Sequence, residues 1–193
     1  MTAPDPTPTP TATGPAKWRP AVDDAAIVLG WFALLGLVGA VVWDQVTPLA
    51  AFTRTADNGT MGEEELARQF ATNGWFFVIA AVAGLVSGLV LLLWRHRRPL
   101  LMVVLVALGG GLATLVMQQV GLHLGPADPS SVLPTVAVGT QVPMRLEPDA
   151  HGVYFVWSVA ALIGAVIALW GSESRATARS RDEMSQFELP RSG

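Results

Sequence analysis

The chain has 193 residues and a formal net charge of -3, with 14% charged and 51% hydrophobic side chains. A soluble domain carries about a quarter charged residues, so the deficit excludes an ordinary water-soluble fold, and no basic surface is left over for nucleic acid. Cysteine is absent, which excludes disulfides, thiolate metal sites, covalently attached haem and cysteine nucleophiles.

Residues 1–22 are dominated by Pro, Thr and Ala, including Thr7-Pro8-Thr9-Pro10, and predict a disordered tail that cannot bury enough apolar surface to fold. The segment 23–170 follows as one domain. Within it the runs 25–43, 74–94, 101–120 and 153–170 contain no formal charge. Each has about the 20 residues with which a helix crosses ~30 Å of hydrocarbon. Backbone inside lipid must satisfy its own N–H and C=O groups, so such runs predict spanning helices. The expected fold is an all-α membrane protein: a four-transmembrane-helix bundle with a small outer cap. The first run also admits a signal-peptide reading, with Leu49-Ala50-Ala51 at the cleavage position, but it is longer than a usual signal core and is taken as a retained anchor.

The cap is expected from two outer loops, 44–73 and 121–152. In the first, Asn58-Gly59 marks a turn, and Thr60 followed by Glu63 has capping-box spacing for a short amphipathic helix reaching Phe70. Leu66 and Phe70, four residues apart, would rest on the membrane or the bundle, with Glu63, Glu64 and Glu65 in water. The second loop carries Pro126, Pro129, Pro134, Pro143 and Pro148, which disfavour helix; 135–138 and 141–146, around Gly139-Thr140, predict a β-hairpin. Only 95–99 joins spans two and three, which are expected to be tight antiparallel neighbours. Residues 171–193 are read as a flexible tail.

Lys17, Arg19, Arg95, Arg97, Arg98, Arg175, Arg179, Arg181 and Arg191 fall on one side of this layout, against Arg54, Arg68 and Arg145 on the other. The positive-inside rule then puts both termini in the cytoplasm. Trp43 and Trp75 at the outer span ends, with Trp94 and Trp170 at the inner ends, read as an aromatic belt. Eleven Arg against one Lys, with abundant Ala, Gly and Val, suggests a GC-rich bacterial genome and hence a plasma-membrane location.

Small residues recur at helical spacing: Ala80, Gly84 and Gly88; Ala107 and Gly111; Ala160, Gly164 and Ala168. In lipid such stripes let helices approach closely. Gly36, Gly84, Gly88, Gly110, Gly111 and Gly164 are therefore assigned to helix packing, and Gly109-Gly110-Gly111 marks span three as the one to bend or to accept a close neighbour. A faint repeat aligns Gly36 with Gly110 and Asn73-Gly74 with His151-Gly152; as a true duplication it would place a two-fold axis along the membrane normal.

Chemistry is scarce. The middles of the spans hold only Ser87, Thr114 and Ser158 as polar groups, against the ionisable residues that proton or ion pathways need. Asp44, Gln45, Gln118 and Gln119 read as interfacial polar residues or the lining of an outward vestibule. His123, Asp128, Asp149 and His151 share the second loop and could form a metal site, but they lack metal-motif spacing and read more simply as surface residues. Asn58-Gly59-Thr60 is formally a glycosylation sequon and reads as a turn. No catalytic, cofactor-binding or metal residue is assigned, and no enzyme activity is expected. The expected role is a non-enzymatic accessory or interaction subunit of a membrane or envelope complex. The alternatives are a small-solute or lipid carrier working as an oligomer, and an outer-surface metal-dependent enzyme. Partners would be the bilayer and either a membrane protein or a second copy.

The Asn73-Gly74-Trp75-Phe76 entry into span two, the Arg95-His96-Arg97-Arg98 turn, the Gly-rich third span and Val142-Pro143-Met144-Arg145-Leu146 resemble an actinobacterial four-pass membrane family, domain of unknown function 2567. The resemblance covers roughly 25–170. It implies a four-pass topology and no known activity.

Overall fold

The computed structural model describes residues 19–94 and 99–187. Helix α1 (Arg19–Val46) leads into a strand pair, β1 (Ala51–Arg54) and β2 (Gly59–Thr60). Helices α2 (Glu63–Trp94) and α3 (Pro99–Leu124) follow, then the single turn α4 (Pro129–Val132), strand β3 (Gln141–Pro143), a 3-10 turn (His151–Phe155) and α5 (Val156–Phe187). The structure thus has four helices long and apolar enough to cross a membrane, belonging to α1, α2, α3 and α5. The strands and α4 gather at one end as a cap.

Helix α1 packs along α3, and α2 along α5; α3 also meets α5 and α1 meets α2, while α2 and α3 scarcely touch. The ring order is α1, α3, α5, α2. This corrects the expectation that spans two and three are close neighbours: they lie across the diagonal. Helices pack at ~8–10 Å, so the diagonal of a four-helix ring is ~11–14 Å, a distance that a four-residue link covers at ~3.3 Å per residue. A short link bounds the separation of two helix ends without choosing their faces. The faces are chosen by fit, because lipid offers no drive to hide one apolar side chain rather than another.

That ring order also overturns the two-fold axis along the membrane normal. Such an axis would exchange α1 with α3 and α2 with α5 and set each pair diagonally, but these are the adjacent pairs. The aligned glycines differ accordingly: Gly36 faces Ala113 of α3, whereas Gly110 faces Ser158 of α5.

The interior is filled by large side chains, among them Phe32, Trp43, Phe76, Met102, Met117 and Trp157, all buried. Trp43 does not belong to an interfacial belt. Its ring stands edge-on to Phe76 at 5.0 Å between centroids, and its indole N–H donates to the Thr72 carbonyl at 3.1 Å, so the one polar atom that would have sought the interface is satisfied inside. Trp94 and Trp170 at the opposite end remain mostly exposed, as a belt requires.

No separate amphipathic helix exists in the first loop. Thr60 pairs with Thr53 in the sheet, and the helix that starts at Glu63 runs without a break through Gly74 into the membrane-length segment. Glu63, Glu64 and Glu65 in its first turn suit the helix dipole, and nothing between Phe70 and Phe76 is a strong enough breaker to stop a helix already under way. In the second loop, Pro129 opens α4 at a position where its missing N–H costs nothing, so one turn of helix forms among the prolines. At the far end α5 continues to Phe187 where a flexible tail from 171 was expected, and α1 already begins at Arg19. Residues 1–18 and 188–193 of the tails lie outside the described residues.

The expected hairpin is replaced by a sheet drawn from both loops. Strand β1 is central, with β2 on one side and β3 on the other, both antiparallel, in the registers Thr53↔Thr60 and Thr53↔Gln141. Residues 135–138 are not a strand; Gly139, at φ 89°, turns the chain so that β3 meets β1 instead. Backbone bonds Arg54 N–H to Thr140 O and Met144 N–H to Ala50 O bracket the ladder. Because the chain is free of cysteine, the register is directly testable. Thr53→Cys with Gln141→Cys should close a disulfide, since cross-strand Cα pairs lie within the 4.4–6.8 Å that a disulfide needs. Val136→Cys with Pro143→Cys, a pair that a hairpin around Gly139-Thr140 would join, should stay reduced, which a gel-shift assay under mild oxidation distinguishes.

Candidate functional site: the cap and the cleft beneath it

The first turns of α2 form the post on which the cap is built. Glu65 accepts from the Ala51 N–H at 2.7 Å and thereby holds β1. Arg68 contacts Glu64 at 2.7 Å and Glu65 at 3.4 Å. Gln69 donates to Asp149 at 2.7 Å, and the Asn73 side-chain oxygen accepts from the Asp149 and Ala150 N–H groups at 3.0 and 3.3 Å. The second loop is thus fastened to α2 through its backbone. Leu146 seals the junction: fully buried, it packs over Gly125, where an added Cβ would come within 2.6 Å of the Leu146 Cβ.

The residues assigned to packing occupy different positions. An added Cβ on Gly36 would lie 2.6 Å from the Ala113 carbonyl, one on Gly84 2.6 Å from the Trp157 carbonyl, and one on Gly110 2.7 Å from the Ser158 Cα. On Gly88 it would collide with the Ala161 carbonyl, and on Gly164 with the Leu85 carbonyl. Gly111 differs: its nearest neighbour is the Ser158 Oγ at 4.0 Å. At Gly109, within the glycine run expected to accept a close neighbour, an added Cβ would strike the Phe32 ring; Gly121 and Gly125 lie outside the expected stripes, yet at Gly121 an added Cβ would come within 2.6 Å of the Trp43 ring.

The four residues weighed as a metal site are engaged separately. Asp128 caps α4, accepting from the Ser130 N–H at 2.8 Å. Hydrogen bonds from Ser130 hold its carboxyl below the ordinary carboxylate value. Asp149 serves Gln69, the His123 ring nitrogen lies 2.7 Å from the Gln119 carbonyl, and His151 stands edge-on to Tyr154. Among the described residues no three His, Cys, Asp or Glu side chains are grouped closely enough to hold a metal ion.

Three concavities bear on function. On the cap a cavity of about 350 Å³ has an apolar floor of Phe52, Leu133 and Met144 and a rim of Asp128, Arg145 and Glu147. Between α1 and α2 lies a wholly apolar groove of about 410 Å³, lined by Trp31, Leu35, Val78 and Val82. The largest, about 540 Å³, is a cleft between α3 and the start of α5. Gly110 and Ser158 hold these helices together, with the Ser158 hydroxyl donating to the Ala107 carbonyl at 2.9 Å. Gly111, turned ~100° from Gly110 around the helix, meets nothing nearer than the Ser158 Oγ at 4.0 Å and borders the cleft. Thr114, Leu115 and Gln118 form one wall of the cleft and Tyr154 and Phe155 the other. Of the residues read as a vestibule, Gln118 alone reaches this cleft; its amide donates to the Tyr154 hydroxyl at 3.1 Å, which donates to the Pro148 carbonyl at 3.3 Å. Gln45 instead donates to neighbouring Asp44 at 3.0 Å.

No family model matches the chain, and neither does any curated protein or solved structure.

Proposed function

We propose that the protein is a non-enzymatic accessory or interaction subunit of a membrane or envelope complex, seated in the plasma membrane of a bacterium with both termini in the cytoplasm and the cap outside. The observation that carries this reading is the contrast between bundle and cap. Among the described residues the bundle interior buries no ionisable side chain, and its few buried polar groups include Thr72, Ser87 and Thr114. Ser87 and Thr114 donate to carbonyls of their own helices, at 2.6 and 3.1 Å. Such an interior offers no path for ions or protons. The cap, by contrast, unites both loops into one surface with a mixed apolar and charged depression, the composition expected where a partner docks. Membership of the four-pass family 2567 belongs to the same proposal, supported by the four-span layout. The cleft favours a second reading, a lipid carrier working as an oligomer.

Gentle solubilisation followed by identification of co-purifying proteins tests the main reading. Stoichiometric partners that are lost on Met144→Glu, which charges the cap floor, are the expected result; a clean homo-oligomer carrying a small molecule would favour the carrier. A periplasm-active reporter inserted within 57–64 and a cytoplasm-active one after Gly193 should both be active, and activity of the opposite reporters would reverse the orientation.

A further inference from the structure

We propose that the cleft between α3 and α5 is a binding site for a membrane lipid with a primary-ammonium headgroup, phosphatidylethanolamine, one acyl chain of which lies against Gly111 with the polar end at Gln118 and Tyr154. The inference goes beyond the accessory role and rests only on the four helices lying in a bilayer.

Position comes first. Gly111 lies nine residues before the end of the apolar run at Val120, which at 1.5 Å per residue is ~14 Å inside the hydrocarbon, whereas Gln118 is within ~3 Å of its edge. The cleft therefore runs from chain depth to headgroup depth along one leaflet. Its outer lips, Leu115 and Phe155, are 57% and 70% exposed, so it opens sideways, where the surrounding medium is lipid. At about 540 Å³ it lies within the ~300–1,000 Å³ range of small-molecule sites.

Polarity comes next. At depth the hydroxyls of Thr114 and Ser158 donate to the Gly110 and Ala107 carbonyls, so that part of the wall behaves as apolar surface suited to an acyl chain. The mouth is different: a carboxamide and a phenol sit at the height of the ester linkages, and neutral donors and acceptors there match neutral esters. The apolar groove between α1 and α2 has no such mouth, which separates a specific site from ordinary lipid-facing surface.

Charge selects the headgroup. The Tyr154 hydroxyl at the mouth donates to the Pro148 carbonyl at 3.3 Å, and Pro148 is flanked in the chain by Glu147 and Asp149, so the loop bordering the mouth carries two carboxylates. A net-anionic headgroup would meet that field unfavourably, while a primary ammonium supplies both opposite charge and N–H donors to carboxylates.

The test is thermal unfolding of delipidated protein in a neutral detergent, titrated with phosphatidylethanolamine or phosphatidylglycerol of matched chains. Phosphatidylethanolamine at ~100-fold above its Kd should raise the melting temperature by about 5 to 10 °C, with phosphatidylglycerol at least tenfold weaker. Gly111→Leu should keep the lipid-free melting temperature, because the site has room for the side chain, and should lose the lipid response by filling the cleft. Gln118→Leu should weaken the response several-fold. If Gly111→Leu fails to accumulate, Leu115→Trp fills the cleft from its outer lip and should act alike. Equal protection by both lipids, no protection by either, or a full response in whichever filled variant accumulates would overturn the proposal. The reporter fusions report separately on whether the helices span the membrane as read.

Discussion

Gly88→Leu should be the most damaging single replacement among the packing glycines. The obstacle it meets is the Ala161 carbonyl of α5, backbone that has no rotamer to change, so α2 and α5 must separate along their length. Overpacking of this kind costs ~1–3 kcal/mol and occasionally more, and here the pair disrupted is one of the two closest in the bundle. Even Gly88→Ala should destabilise. Gly30→Ala and Gly74→Ala provide the control: an added Cβ there has no neighbour within 4 Å, so the better helix propensity of Ala should leave them neutral or up to ~1 kcal/mol more stable. Melting temperature in detergent and abundance in cells read out the series. If Gly88→Ala were as stable as Gly74→Ala, the α2–α5 contact would not be close.

Truncating Trp43 should rank next. Trp43→Ala removes a fully buried indole that packs on Phe76 and over Gly121, an effect of ~3–5 kcal/mol for a large aromatic. Replacement by Phe separates packing from hydrogen bonding. Trp43→Phe gives up the bond to the Thr72 carbonyl, worth ~1 kcal/mol, as well as some volume. Trp157 is equally buried, but among the described residues its indole N–H has no hydrogen-bond partner, so Trp157→Phe also relieves an unpaired donor. Trp157→Phe should therefore be the milder of the two, measured by the same melting assay.

The four spans were legible because lipid forces an uninterrupted apolar run, a constraint written along the chain itself. Their neighbours were not. Gly84 and Gly88 announce that something comes close without saying what, and any small-residue face would satisfy the pattern; the choice of Ala161 and Gly164 is a matter of three-dimensional fit. Gly111 was grouped with Gly110 on propensity, but adjacent helical residues point ~100° apart, so only one of the two could face α5. The sheet failed for a related reason. Gln141 finds Thr53 some ninety positions away, and a hairpin rule sees only the strand nearest in sequence. Trp43 was read by its position at the end of a run, whereas the position of Thr72 decided where its N–H would go. Gly121 and Gly125 did carry a signal in their four-residue spacing, continuing the small-residue pattern of the third span beyond its apolar part.

The ring order bears on how the protein is made. Each helix of the first half finds its principal companion in the second: α1 lies along α3, and α2 along α5. When α1 and α2 have left the ribosome, most of what will hold them has not yet been synthesised, and their mutual contact is slight. The nascent first half must wait in the bilayer with its glycine-lined faces open, then take up α3 and α5 between its own two helices as they arrive. Biogenesis is thus an interleaving of two halves rather than the addition of one finished hairpin to another, and Gly88 and Gly36 are the surfaces left waiting.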